Sequence, residues 1–191
     1  MLMKEVYITT KSGTCYSGSR GATVSCDFTT TGLKNDTTRN MIEIVTWKLG
    51  GTSSTNNTAA FYTAERGTDV YDNSKPTECE GKIALMYPSD YGYATSGGSI
   101  GRERCLSTNL GYWEDYSNCY NNDWLYTGSY QWTLTSYSSN SRSVFDVRSD
   151  GFVDTENTYI SWDIHPSVYL TSDVSITGGS GTESDPYTLA S

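Results

Sequence analysis

The chain has 191 residues, 36% of them apolar, with 16 Tyr and 5 Trp; that length suits one domain, and the aromatic rings supply burial that a disordered chain lacks. The formal charge of −9 is all C-terminal, because residues 1–82 carry nine basic and nine acidic side chains while residues 83–191 carry four Arg and thirteen acids. Such a field repels phosphate backbones and argues against nucleic acid as a partner, although it favours a cationic ligand or Ca²⁺ and, most simply, solubility.

In chain order, residues 1–37 read as N-terminal strands, with "KEVYITT" and "ATVSCDFTT" separated by a Gly/Ser-rich turn. The stretch "NDTTRNMIEIVTWKLGG" predicts the main helix: Asp36, Thr37 or Thr38 can cap its start, Met41, Val45 and Leu49 recur at i, i+4 and i+8, and Gly50-Gly51 stops it. A strand is the competing reading of the same stretch, since Ile42, Ile44 and Val45 suit one. "GTSSTNNTA" reads as a loop, "AAFYTAERGTDVY" as a strand, "DNSKPTECEG" as a second loop and "KIALMYPSDYGYA" as a strand broken by Pro88-Ser89-Asp90. From Arg102 the chain is rich in Trp and Tyr. "SVFDVRSDGFVD" predicts a hairpin turning at Asp150-Gly151. "PSVYLTSDVSI" and "YTLA" read as the last strands, with "GGSGTESDPY" as the loop between them. The whole predicts one α+β domain over residues 1–191, loop-rich, with short antiparallel strands, one main helix and room for a second.

Five cysteines are present and no C-x-x-C; the one histidine is His165, so a zinc site is not expected. The spacings 15/26 and 105/119 suit loop-closing disulfides, Cys15–Cys26 and Cys105–Cys119, leaving Cys79 over; the alternative is five reduced cysteines in an intracellular protein. With few Lys and much Ser, Thr, Asn and Tyr, the disulfide reading predicts an extracellular, secreted or cell-surface protein. No apolar run approaches the roughly 20 residues that span a bilayer, and no signal-peptide core is present. An exported protein would therefore have its anchoring segment outside this chain.

The segments "GKIALMYPSDYGYA", "DWLYTGSYQWTL", "SSNSRSVFDV" and "HPSVYLTSDVSITGGSGTESDPYTL" together resemble the C-terminal domains of exported, prepilin-like Firmicutes proteins. Those domains look like divergent C-type-lectin folds, similar to the variable proteins of diversity-generating retroelements and, remotely, to formylglycine-generating enzymes. The resemblance covers residues 38–189. Its pattern maps onto Trp124-Leu125, Trp132-Thr133-Leu134, the strand from Val144 to Val147, and Ile164-His165-Pro166 leading to Tyr169-Leu170. This chain departs from it where Thr135-Ser136 replaces Ser-Pro and where His165 replaces an Arg.

The resemblance implies a C-type-lectin-like fold whose rigid sheet displays a sequence-tolerant rim. Retroelement variation acts at adenines and populates Asn, Tyr, Ser, Thr and Asp codons, the types that crowd residues 115–163. Tyr and Trp give contact area at low entropy cost while Ser, Asn and Gly adapt their hydrogen bonds. The candidate ligand-binding residues are Tyr126, Tyr130, Tyr137, Asn140, Arg142, Asp146, Arg148, Asn157, Tyr159 and Trp162, of which those flanking the predicted β positions are expected to point outward, although for any single Tyr a half-buried sheet position is the better reading. Trp124, Leu125, Trp132, Leu134, Phe145 and Val147 are assigned to the core. The expected partner is a protein or glycan ligand on another cell or phage surface, with the globular head of a pilus-like filament as the alternative.

Catalysis is not expected. His165 lies beside Asp163 and Ser167 without triad geometry, and formylglycine-type chemistry needs cysteines beyond Cys119, where none exists. No cofactor or metal is assigned. Ca²⁺ stays open for the loop carrying Asp173, Glu183 and Asp185, whose plainer reading is a turn closing the last strand.

Overall fold

A computed structural model of the chain describes residues 13–16, 23–26, 40–182 and 184–191. Its architecture is mixed α+β, with short helices and small sheets. Strands β1 (Gly13–Tyr16) and β2 (Thr23–Cys26) form an antiparallel pair in which Gly13 faces Cys26 and Cys15 faces Val24. The side chains of Cys15 and Cys26 lie outside the described residues, and so does the linkage predicted between them.

The predicted main helix is corrected by the structure after Asn40, which is helical. Val45–Lys48 is a strand, β3, paired antiparallel with β4 (Glu78–Gly81), and the capping residues 36–38 lie outside the described residues. The competing strand reading holds for this part: Trp47 is buried, donates its indole N–H to the Gly81 carbonyl at 2.9 Å, and packs against Ala84 and Tyr87. Cys79 of β4 packs half-buried against the same group. The Tyr87 hydroxyl donates to the Lys48 carbonyl at 2.8 Å and accepts the Lys48 N–H at 2.9 Å, which fixes this small layer.

Helix formation falls instead on the segment read as loop and strand. Helix α1 (Thr58–Glu65) starts where the Asn57 side chain accepts the Ala60 N–H at 3.0 Å. Its Ala-rich sequence favours a helix, and Phe61 and Glu65, four apart, face the core. Strand β5 (Ile83–Leu85) leads into helix α2 (Pro88–Ala94), where Pro88 opens the first turn and the Asp90 carboxylate accepts the Tyr87 N–H at 2.9 Å. Helix α3 (Arg102–Ser107) and the short α4 (Ser117–Tyr120) follow, flanking a 3₁₀ turn, Leu110–Asp115. The Cys105–Cys119 disulfide predicted from its spacing joins α3 to α4, and both half-cystines are buried.

Four strands make the main sheet, in the order β8 (Val153–Asn157), β7 (Ser143–Val147), β6 (Gln131–Ser136), β9 (Asp163–Ile164). The β7–β8 pair is the predicted hairpin, with Val147 opposite Val153. Gly151 in its turn has φ +88° and lies so close to the Tyr120 ring that a Cβ there would overlap it. Strand β6 has two partners along one edge: β9 runs parallel to it at Gln131 and Trp132, and the Leu134 N–H reaches the Met86 carbonyl at 2.9 Å. Strand β10 (Pro166–Val168) then pairs with β5, and β11 (Ser175–Gly178) with β12 (Thr188–Ala190).

The alternation along β6–β8 builds the core. Phe145, Val147 and Val153 join Phe61, Tyr91, Leu110 and Trp113 in one buried cluster, with Phe61 edge-on to Phe145 at 5.0 Å and Tyr91 against Trp113 at 5.3 Å. Glu65 is buried beside this cluster. It accepts the Ser89 N–H at 2.9 Å and the Ser89 hydroxyl, and meets the Arg66 guanidinium at 3.1 Å, so it ties the end of α1 to the start of α2. Burial pushes its carboxyl up to about 7 despite those contacts.

Two expected outcomes follow from these ties. The closed loop between Cys105 and Cys119 spans 14 residues, for which reduction costs about 3 kcal/mol and lowers Tm by roughly 6–12 °C; calorimetry of the full chain with and without dithiothreitol, and of a Cys105→Ser/Cys119→Ser variant, measures it. The folded-state value of Glu65 lies above its ordinary 4.5, so its contribution is complete below pH 4.5 and is lost as pH rises through about 7. Tm therefore falls between pH 5 and pH 8, and Glu65→Gln shrinks that fall; an unchanged slope in the variant would contradict the assignment.

Candidate binding surface

The outward face of the main sheet carries the side chains that the core face does not use. Trp132, Asp146 and Asp154 lie in one register across β6, β7 and β8, and Glu156 stands opposite Val144. Trp162, from the segment between β8 and β9, stacks between Trp132 at 4.6 Å and Tyr130 at 4.8 Å, with interplanar angles of 32° and 30°. The Arg148 guanidinium carbon lies 5.1 Å from the Trp162 ring centre and 5.7 Å from that of Tyr130, within cation–π range. The same guanidinium reaches Asp146 and Asp154 at 3.0 Å and Glu156 at 3.8 Å.

Asp146 is the unusual member. Its side chain is fully buried, and its contact with Arg148 Nε is an ion pair without hydrogen-bond alignment. Burial pushes the carboxyl up to about 7; Arg148 opposes the shift, and Asp154 and Glu156 add to it. The outward placement expected of Asp146 is thus corrected: it lies on the outer face of the sheet but is covered there, and it positions Arg148 rather than meeting solvent.

The rest of the predicted set divides by burial. Tyr130, Asn140, Arg142 and Tyr159 are exposed, Tyr130 at 38%. Arg148, Asn157 and Trp162 are half-buried. Tyr126 and Tyr137 do not stand outward as expected: both are half-buried against the main core. Tyr126 donates its hydroxyl to the Ser149 carbonyl at 2.6 Å and meets Tyr120 edge-on at 5.0 Å, while Tyr137 meets Phe145 edge-on at 5.9 Å. Tyr130, Arg148 and Trp162 therefore gather at one end of the face, and Tyr137 and Asn140 lie at the other, in and beside the β6–β7 turn.

That second end borders a cavity of about 450 Å³ between the turn and the segment 70–76. Leu49, Ile83, Leu134 and Val144 supply apolar wall, Tyr71 and Tyr137 aromatic wall. The turn is held in place by Ser138, whose hydroxyl reaches the Asp69 carboxylate at 2.8 Å and whose N–H reaches the Thr52 carbonyl at 2.9 Å.

The framework assignment needs one correction. Trp132, Phe145 and Val147 are buried and Leu125 and Leu134 packed, but Trp124 is 79% exposed. Its backbone is fixed: the Asp123 carboxylate accepts the Leu125 N–H at 2.8 Å, the Tyr126 N–H reaches the Asp123 carbonyl at 3.2 Å, and Asp123 pairs with Thr95. An apolar residue in a Trp-Leu pair reads as core; only the turn geometry reveals that Leu125 goes in and Trp124 goes out. Asp154, Glu156 and the cavity walls were likewise missed, because strand alternation gives their face but not which face the core covers.

For Ca²⁺, Asp173 and Asp185 are exposed and Glu183 lies outside the described residues. Among the described residues no cluster of three or more metal-ligating side chains is assembled, and no helix is long and apolar enough to cross a membrane. Comparison of the chain with family models, curated proteins and solved structures finds no match.

Arg148→Met strands the Asp146 carboxylate without its counter-ion and is expected to cost about 3 kcal/mol at pH 8. The loss shrinks at pH 5, where Asp146 is protonated in the variant, and Asp146→Asn in the same chain restores most of it. Urea denaturation at both pH values checks this; an equal loss at both would show that the pair is not coupled.

Proposed function

We propose that this protein is an extracellular recognition domain of C-type-lectin-like type, related in design to retroelement variable proteins, that binds its ligand through the outer face of the β8–β7–β6–β9 sheet. The observation that carries the reading is the Tyr130–Trp162–Trp132 stack with Arg148 locked beside it by three carboxylates. Stacked aromatic rings and a held guanidinium are interface anchors that lose little entropy on binding, because their rotamers are already fixed. The exposed Tyr130, Asn140, Arg142 and Tyr159 surround them with adaptable polar contacts. The buried disulfide fits an oxidising compartment.

The test uses the full chain immobilised and challenged with solubilised cell-surface proteins and with a glycan array. Tyr130→Ala is expected to weaken retention by about tenfold or more while leaving Tm within about 2 °C, since the ring is partly exposed and removes no buried hydrogen bond. Retention at the wild-type level by both Tyr130→Ala and Arg142→Ala would remove the face from recognition. Sedimentation addresses the filament-head alternative: a monomer favours the recognition domain, and self-association abolished by Tyr130→Ala favours the filament head.

A further inference from the structure

We propose that the 450 Å³ cavity beside the β6–β7 turn seats a large apolar side chain of a polypeptide partner, flanked by neutral or basic residues. The proposal rests on the recognition reading and narrows it from protein or glycan to polypeptide.

Three observations support it. The first is the wall. Leu49, Ile83, Leu134 and Val144 come from four different segments and converge on one space. A glycan placed against that wall would lose the hydration of several hydroxyls that these side chains cannot replace, whereas a phenyl or isobutyl group loses none and an indole only that of its single N–H. The volume lies within the range of small-ligand sites and exceeds any single side chain, so the anchor enters with part of its backbone.

The second is the rim. Asn140, Ser141, Ser143 and Thr158 also line the cavity, the first two exposed, and can meet the backbone N–H and C=O groups on either side of an anchor. The third is charge and continuity. Glu156 lies directly opposite the wall residue Val144, so the row Asp154–Glu156 runs up to the mouth from the aromatic stack. On this face Asp146, Asp154 and Glu156 share one guanidinium, that of Arg148, while Asp150 stands in the far turn beside Gly151. Asp72 and Lys75 on the opposite wall offset one another. A carboxylate beside the anchor is therefore disfavoured. The stack and the cavity share one sheet face, so a single extended partner segment can meet both.

Phage-displayed random heptapeptides panned on the full chain, followed by titration of synthetic copies of the enriched peptides, test the proposal. The enriched peptides are expected to carry Trp, Phe or Leu with no neighbouring Asp or Glu, and to lose about tenfold or more in affinity when that residue becomes Ser. Ser141→Trp, which fills the mouth from an exposed position, and Val144→Phe, which fills the wall, are expected to weaken the same peptides comparably. The anchor-to-Ser comparison is made on the wild-type protein and so does not depend on either variant folding. Enriched peptides with no large apolar residue, or with affinities indifferent to its removal, overturn the proposal. Retention of a glycan that needs Tyr130 but ignores both fillings also overturns it, while leaving the recognition face intact. Retention of neither peptide nor glycan removes both.

Discussion

Everything in this molecule depends on the two-residue period of β6, β7 and β8. One set of side chains, Phe145, Val147 and Val153, closes the core with Phe61, Tyr91 and Trp113. The other set, Trp132, Asp146 and Arg148 with Asp154 and Glu156, is brought together on the far side without any further design. A slip of one residue in register would exchange the two sets and abolish both the core and the face. The Gly151 turn and the Val147–Val153 pair hold the β7–β8 register, and the close approach of Tyr120 leaves no room for another residue type at that turn.

Polar groups fix directions that apolar packing leaves loose. Glu65 joins two helices that could otherwise slide, Asp123 orients the turn on which Trp124 stands, and Asp146 holds Arg148 against the aromatic stack. All three carboxyls are pushed up to about 7, in each case first by burial. A buried charge is a costly way to specify geometry, tolerable only where each oxygen finds donors or a counter-ion. Glu65 is well supplied, whereas Asp146 has the guanidinium alone. Asp123, in the scaffold, also leaves one carboxylate oxygen without a donor, so of the three Glu65 is the best supplied.

Part of this was legible in the sequence and part was not. The hairpin was, because Asp150-Gly151 between alternating residues names a turn that few other structures use. The Cys105–Cys119 link was, because its spacing closes a compact loop. The stretch from Met41 to Leu49 misled, because three apolar residues at helical spacing also include β-branched positions, and only pairing with Glu78–Gly81 decides between them. Helices α1 and α2 are signalled by their caps rather than by periodicity. Asn57 and the Pro88-Ser89-Asp90 run are start signals, but each sits in a segment too short to show a stripe. The candidate face was visible as composition and invisible as geometry: the segment holding Tyr126, Tyr130 and Tyr137 gives no hint that only Tyr130 stands clear of the core. Trp124 fared worst, since an indole next to a Leu argues for burial and the Asx turn that expels it depends on Asp123.

One edge of β6 is already taken, by Asp163–Ile164 at one end and by Met86 at the other. A visiting peptide cannot lengthen the sheet there by adding its own strand, so the contacts along that margin must be made by rings and functional groups rather than by main-chain pairing. Specificity carried that way is written in individual codons. On the proposed recognition reading, exchanging an exposed residue changes the ligand without disturbing the hydrogen-bonded frame that presents it.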